Sequence, residues 1–342
     1  MSLTPKGRLL RVLRKEQVDR PPVICTGGMM NAAIVEIMKK TGHTLPEAHF
    51  DAGRMADLAL DIQEHTGFEN IGVPFCMTIE AELLGSRINH GSLECEPKID
   101  HEVFPSVTQA VFGDVEELVR SGRMQVVVEA AHRIAKAKPD IPVVASLTGP
   151  VSTAASIVDP MTFYKELRKN SVAAHRLIDH VTNLLAAFAE RLLDEQGASV
   201  IAVGEPSGTG EILGPKMFEE YALRYLNQLA DRIHAKGFPV IFHICGDTKT
   251  VRHLLPKLHC DALSADAMIS LPALKSDFPD LTTMGNLSTF ALQWSSPEKI
   301  CTMTRNLLKD GIDIISPACG LSTSTTLESI RAMTDTVKKG NS

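Results

Sequence analysis

Eight short, mostly apolar runs alternate with stretches of helical period along this chain, at residues 22–26, 69–73, 142–147, 199–204, 239–244, 261–265, 281–285 and 312–316. Within them apolar residues follow one another directly instead of alternating with polar ones, as in parallel strands covered on both faces. Between the runs, segment 216–236 sets Phe218, Tyr221, Ala222, Tyr225, Leu226, Leu229 and Ile233 on one helical stripe. Gly214-Pro215 suits the start of that helix and Gly237 its end. Thr325-Thr326-Leu327-Glu328 reads as a capping box that opens the last helix. Strand and helix repeated eight times predict an α/β fold, the (β/α)8 TIM barrel. The 342 residues exceed the typical barrel length of ~250. The surplus is assigned to an N-terminal helical extension over 1–20, with its helix at 4–17, and to an insertion at 77–121 after the second strand. The whole of 1–342 then forms one domain. A doubly wound sheet would carry a glycine fingerprint after its first strand, and Thr26-Gly27-Gly28-Met29-Met30 is not one.

Composition narrows the function. A net charge of −6 leaves no basic footprint for nucleic acid, and no apolar run is long enough to span a membrane. The start, Ser2 to Arg14, is polar and basic without a secretory apolar core, so a cytoplasmic location is expected. Seven cysteines, an odd number without a leader, read as reduced thiols.

A barrel carries its chemistry at the C-terminal ends of its strands. The residues expected there include Glu205, His243-Ile244-Cys245-Gly246-Asp247, Asp266, Asn286 and Cys319-Gly320. Side chains two apart on a strand point the same way, with Cα atoms roughly 6–7 Å apart, so His243 and Cys245 can share one ion. Cys319 would enter the same mouth from the eighth strand. One nitrogen and two sulfurs form a zinc set with an open fourth position. Gly246 and Gly320 read as leaving room for a bulky approach. Two thiolates and an imidazole make the ion a poor Lewis acid but a good holder of a third thiolate, which favours alkyl transfer to sulfur over hydrolysis. Glu205 and Glu211 could supply a carboxylate for the hydrolytic alternative.

Asp19-Arg20-x-Pro22-Val23, Pro46-Glu47-Ala48-His49, Gly149-Pro150-Val151, His243-Ile244-Cys245-Gly246, Gly285-Asn286 and Gly311-Ile312-Asp313 together resemble the uroporphyrinogen decarboxylase superfamily, over Arg8 to about Ala332. The likeness is greater to its branch of methylcobalamin:coenzyme M methyltransferases. That resemblance implies a zinc held by His243, Cys245 and Cys319, with Glu82 as a fourth ligand when substrate is absent. It also implies a small thiol acceptor such as coenzyme M and a methyl donor, methylcobalamin, carried on a separate corrinoid protein. The decarboxylase branch is similar in an Arg-rich stretch after its first strand. Here that stretch is Cys25-Thr26-Gly27-Gly28-Met29-Met30-Asn31, with no arginine to hold acid groups. A decarboxylase-type carbon–carbon lyase, a non-catalytic corrinoid-binding protein and transfer to tetrahydrofolate remain as alternatives.

Of the other strand-end residues, Glu205 and Asp266 would orient His243 or touch substrate, or else form salt bridges at the rim. Asn286 would donate to substrate, or satisfy the turn after the seventh strand. Gly208-x-Gly210-x-x-x-Gly214 is too long for a dinucleotide loop and reads as a loop over the mouth.

Overall fold

The computed structural model describes residues 3–194 and 197–340. Among them, seven parallel strands form one curled sheet in the order β1-β4-β5-β6-β7-β8-β9. They are β1 (Ile71–Val73), β4 (Val143–Thr148), β5 (Val200–Glu205), β6 (Val240–Ile244), β7 (Ala262–Ala265), β8 (Thr283–Leu287) and β9 (Ile314–Pro317). The intervening β2 (Arg87–Asn89) and β3 (Lys98–His101) pair with each other as a separate antiparallel hairpin. All six residues of β4 and all five of β6 are buried, which is why their sequences carry no polar alternation.

The run at 22–26 differs from a ladder strand. It makes one parallel bridge, Val23 with Ile315, flanked by hydrogen bonds from Ile24 N to Ile315 O (3.0 Å) and from Ile315 N to Pro22 O (2.9 Å). On its other side, Glu69 N donates to Val23 O at 2.8 Å. The Asn70 side chain then brackets Cys25, accepting from its N–H (2.9 Å) and donating to its carbonyl (2.8 Å). Pro21 and Pro22 have no N–H to give to a ladder, and Asn70 supplies by side chain what a continued strand would supply by backbone.

Strands β1, β8 and β9 each begin two residues later than their apolar runs. Leu281 N closes on Phe278 O and Ile312 N on Leu307 O, so both residues finish the preceding helical turn before extended pairing starts. At the N-terminus, helix Pro5–Leu13 is capped by Thr4 and stops four residues short of the expected 17. Its Leu9, Val12 and Leu13 pack with Val144, Val200, Ile241, Met284 and Ile314, plugging the concave face of the sheet. A buried ion cluster fixes the plug. Glu69, only 3% exposed, takes Arg8 at 2.5 Å and Arg20 at 2.6 Å, while Asp19 takes Arg8 at 2.7 Å.

The 216–236 helix is a succession of Gly210–Met217, a wider-wound stretch Phe218–Leu223 and Arg224–Ala235, with a break at Gly214 where φ is +70°. The last helix, Leu327–Lys339, is capped by Thr326, one residue later than the capping box places it, because Thr325 N is already bonded to Ser322 O. Segment 77–121 holds the β2–β3 hairpin, which reaches over the strand ends: Thr323 Oγ1 donates to Glu94 O (2.9 Å) and Asn31 Nδ2 to Glu96 (3.1 Å). No helix among the described residues is long and apolar enough to cross a membrane.

Candidate metal centre

His243 is the fourth residue of β6 and Cys245 follows the strand's end, so the period of two turns both side chains into the space enclosed by the curled sheet. Cys319 arrives after β9, three strands beyond β6 in the sheet order but brought back by the curl. One ligand atom from each of His243, Cys245 and Cys319 lies within 4.8 Å of the others, and no other such group occurs among the described residues. His243 Nε2 is 3.1 Å from Cys245 Sγ, and the two sulfurs are 3.7 Å apart. A tetrahedral zinc with Zn–S of about 2.3 Å sets its sulfurs about 3.8 Å apart, so the donor set and its spacing fit that ion.

The ring of His243 is held from behind. Its Nδ1 is 2.9 Å from Ser264 Oγ, whose residue is its register partner on β7. Ser264 Oγ–H in turn points to Met30 Sδ at 3.9 Å, leaving the oxygen free to accept from Nδ1–H and Nε2 free to present its lone pair. Both sulfurs feel each other strongly. The Cys319 thiol is held well below the ordinary range by the hydrogen bond from Cys245 and, after burial's opposing effect, by His243. Cys245 is pushed up by the same contact and by burial. The same contact thus drives the two sulfurs apart, Cys319 toward the thiolate and Cys245 toward the thiol.

Under the centre, Met29, Met30 and Met77 line a small closed apolar pocket with His243 and Ser264. Cys319 opens sideways on a cleft of 680 Å³ bounded by Met29, Glu96, Lys98 and Phe290. Another cleft of 680 Å³, between Lys15 and Asp313 at the opposite end of the strands, contains none of these ligands.

The remaining candidates fall in different places. Glu205 is fully buried beneath the mouth and touches no ligand. Its carboxylate accepts from Val151 N (3.0 Å), Ser152 N (2.8 Å), the Ser152 hydroxyl and Gly208 N (3.0 Å). It thus caps helix Pro150–Ala155 from a neighbouring strand, and neither orients His243 nor forms a rim salt bridge. Asp266 does lie beside the centre, but both its oxygens are taken by backbone, Gly246 N at 3.3 Å and Met268 N at 3.1 Å. Asn286 Nδ2 donates to Asp266 O and Ile269 O, both at 2.8 Å, and so satisfies the loop after β7. Glu82 is not in the ligand group. It is paired with Arg123 and with His90 (3.4 Å) away from the sulfurs.

The flanking glycines do not leave open room. A Cβ on Gly320 would sit 2.6 Å from Met29 O, and one on Gly246 would sit 2.5 Å from Glu211 Oε2. Residues that sequence reasoning gave no role at the centre are Met29, whose Sδ is 3.9 Å from Cys245 Sγ, and Ser264. Ser264 was legible in principle, two residues before Asp266 on a strand end. Met29 was not, because only the fold brings the Gly27-Gly28 turn over β6.

A model of the uroporphyrinogen decarboxylase (URO-D) family matches residues 4–340. The protein named methylcobamide:CoM methyltransferase MtbA in Methanosarcina acetivorans is 30% identical over 341 residues, 98% of each chain. One named methylcobamide:CoM methyltransferase MtaA in Methanosarcina barkeri is 29% identical, covering 96% of each. A solved methyltransferase from Methanosarcina mazei superposes with a TM-score of 0.92 at 29% identity over 99% of both chains.

Proposed function

The chain belongs to the uroporphyrinogen decarboxylase (URO-D) family, and from that premise we propose that it is a zinc-dependent methyltransferase moving a methyl group from a methylated corrinoid to a small thiol, the class that includes the coenzyme M of its relatives' names. The single observation that carries the reading is the convergence of His243, Cys245 and Cys319 within 4.8 Å at the strand ends. We read segment 22–26 as the eighth stave of a (β/α)8 barrel, closed through Val23, with 1–342 as one domain.

His243, Cys245 and Cys319 would hold the zinc, which supplies a positive site where an incoming thiol stays deprotonated at neutral pH. Ser264 fixes the imidazole, Met29 covers Cys245 on its apolar side, and the cleft beside Cys319 admits the acceptor and the donor. In the transfer the acceptor sulfur attacks the methyl carbon. The S–C bond forms as the Co–C bond breaks, its electron pair stays on cobalt as cob(I)alamin, and the thiol proton passes to solvent. The size of a corrinoid favours a donor delivered on a partner protein.

The lyase alternative needs cations for a polycarboxylate. Arg8 and Arg20 are committed to Asp19 and Glu69 at the far end of the strands, and Arg123 to Glu82. Metal analysis of the chain and of Cys319→Ser, with absorbance-monitored demethylation of methylcobalamin, tests the proposal. About one zinc per chain, lost in the variant, with thiol-dependent cob(I)alamin formation, is the expected result. Full zinc in Cys319→Ser, or no thiol-dependent turnover in the wild type, overturns it.

A further inference from the structure

Cys245 and Cys319 make a direct sulfur–sulfur contact of 3.7 Å, a gap that a covalent bond of about 2.05 Å would close. Other thiols have different neighbours. Cys25 Sγ donates to Met30 O (2.9 Å), Cys76 Sγ accepts from Arg123 Nη1 (3.3 Å) and Cys301 Sγ donates to Ala332 O (3.5 Å). The two ligand sulfurs are also placed unequally. Cys319 lines the open cleft of 680 Å³, whereas Cys245 does not line it and has Met29 Sδ 3.9 Å away. A small oxidant entering the cleft therefore meets Cys319 first, with Cys245 directly behind it. The imidazole of His243 is fixed independently of both sulfurs, through Nδ1 to the buried Ser264 at 2.9 Å.

We propose that Cys245 and Cys319 form a reversible redox switch, in which hydrogen peroxide joins them as a disulfide and thereby empties the metal centre. The chemistry is a two-electron oxidation of the sulfurs. Cys319 Sγ attacks a peroxide oxygen, the S–O bond forms as the O–O bond breaks, and hydroxide leaves. Cys245 Sγ then attacks the sulfenic sulfur of Cys319. The S–S bond forms, the S–O bond breaks and a second hydroxide leaves. Solvent protonates both to water, so the two thiolates lose the two electrons that the peroxide takes up. The donor set falls from three groups to His243 alone, and a single imidazole does not retain the ion. Ser264 still holds that ring, so reduction by a dithiol restores the full set without rebuilding the site. The inference rests on the reading of these residues as metal ligands and deepens it with a means of regulation. The centre shuts in an oxidising medium, the condition that also consumes cob(I)alamin, the reduced product of the transfer.

The test titrates the zinc-loaded chain with hydrogen peroxide in the absence of free thiols. Zinc release is followed with a chromophoric chelator, and cross-links are mapped by mass spectrometry of unreduced peptides. The expected result is a disulfide between Cys245 and Cys319, about one zinc released per cross-link, and zinc rebinding after dithiothreitol. Cys95→Ser, which removes the other thiol lining the cleft, should respond as the wild type does. Peroxide on Cys245→Ser should leave Cys319 as a sulfenic acid that dimedone traps, with no new cross-link. Zinc retained at excess peroxide overturns the proposal. So does a cross-link between Cys95 and Cys319 in place of the expected one, or a release that dithiothreitol does not reverse. A chain that takes up no zinc at all overturns the metal reading and this proposal with it. Zinc uptake without thiol-dependent turnover overturns methyl transfer and leaves the switch standing.

Discussion

His243 and Ser264 face each other across β6 and β7 as register partners, 2.9 Å apart from Nδ1 to Oγ, and this contact decides which imidazole nitrogen faces the sulfurs. Ser264 is fully buried, so no water replaces its hydroxyl if it is removed. Ser264→Ala should free the ring to rotate and let the proton move to Nε2. Metal affinity is expected to fall about 10–100-fold, read by competition with a chromophoric chelator. Unchanged affinity would mean that the backbone of β6 alone orients the ligand.

Gly320 touches the centre through its backbone beside the Cys319 sulfur and through close packing on the Met29 turn. The 2.6 Å approach of its missing Cβ to Met29 O leaves no space for alanine, and the obstacle is backbone on a turn whose Gly27 and Gly28 have φ of +94° and +59°. Gly320→Ala should push Met29 off Cys245 and shift Cys319. Overpacking of this kind costs about 1–3 kcal/mol. The expected readout is a lower urea midpoint together with a faster reaction of the metal-free thiols with a disulfide reagent. A stable variant with unchanged thiol reactivity would show that the Met29 turn yields without cost.

Glu69 joins Arg8, Arg20 and the backbone of Val23, so it holds the N-terminal plug and the bridging segment together. Its removal leaves a buried Arg8 guanidinium, 4% exposed, with Asp19 as its one remaining carboxylate. Breaking one partner of a buried pair typically costs about 3–5 kcal/mol. Glu69→Ala should therefore lower the urea midpoint far more than Asp19→Ala, whose carboxylate is half in solvent. Equal effects would show that the plug is held by Leu9, Val12 and Leu13 alone.

What could be read in the sequence follows from how local each cause is. The strands β4 to β7 were legible because burial on both faces leaves its mark on consecutive residues, and His243-x-Cys245 because a strand's period fixes the direction of both side chains. The bridge at 22–26 was not, since the substitute for its ladder is Asn70, 45 positions further along the chain. Glu205 at a strand end looked like a rim carboxylate. Nothing near it in sequence announces that the first-turn N–H groups of helix Pro150–Ala155 are its partners. Gly246 and Gly320 were read as openings because a glycine looks the same whether its vacancy faces solvent or a neighbour, here Glu211 and the Met29 carbonyl.

Glu205 also gives the protein a pH dependence of defined sign. Burial pushes its carboxyl up to about 7, against the donors from Val151, Ser152 and Gly208 that hold it down. In the unfolded chain the group titrates near an ordinary 4.5. Between those values the folded state binds more protons than the unfolded state, so stability falls as pH rises from about 4.5 to about 7 and levels off above. The full span amounts to about 3 kcal/mol at most. Glu205→Gln removes the titration but puts an amide where four donors converge, so it should be less stable than wild type at pH 5. Its deficit should shrink as pH rises to 8. Urea midpoints of both proteins at intervals across that range measure the difference directly. A deficit that stays constant or grows with pH would mean that the carboxylate is ionised throughout, and that the helix N-terminus outweighs burial at Glu205.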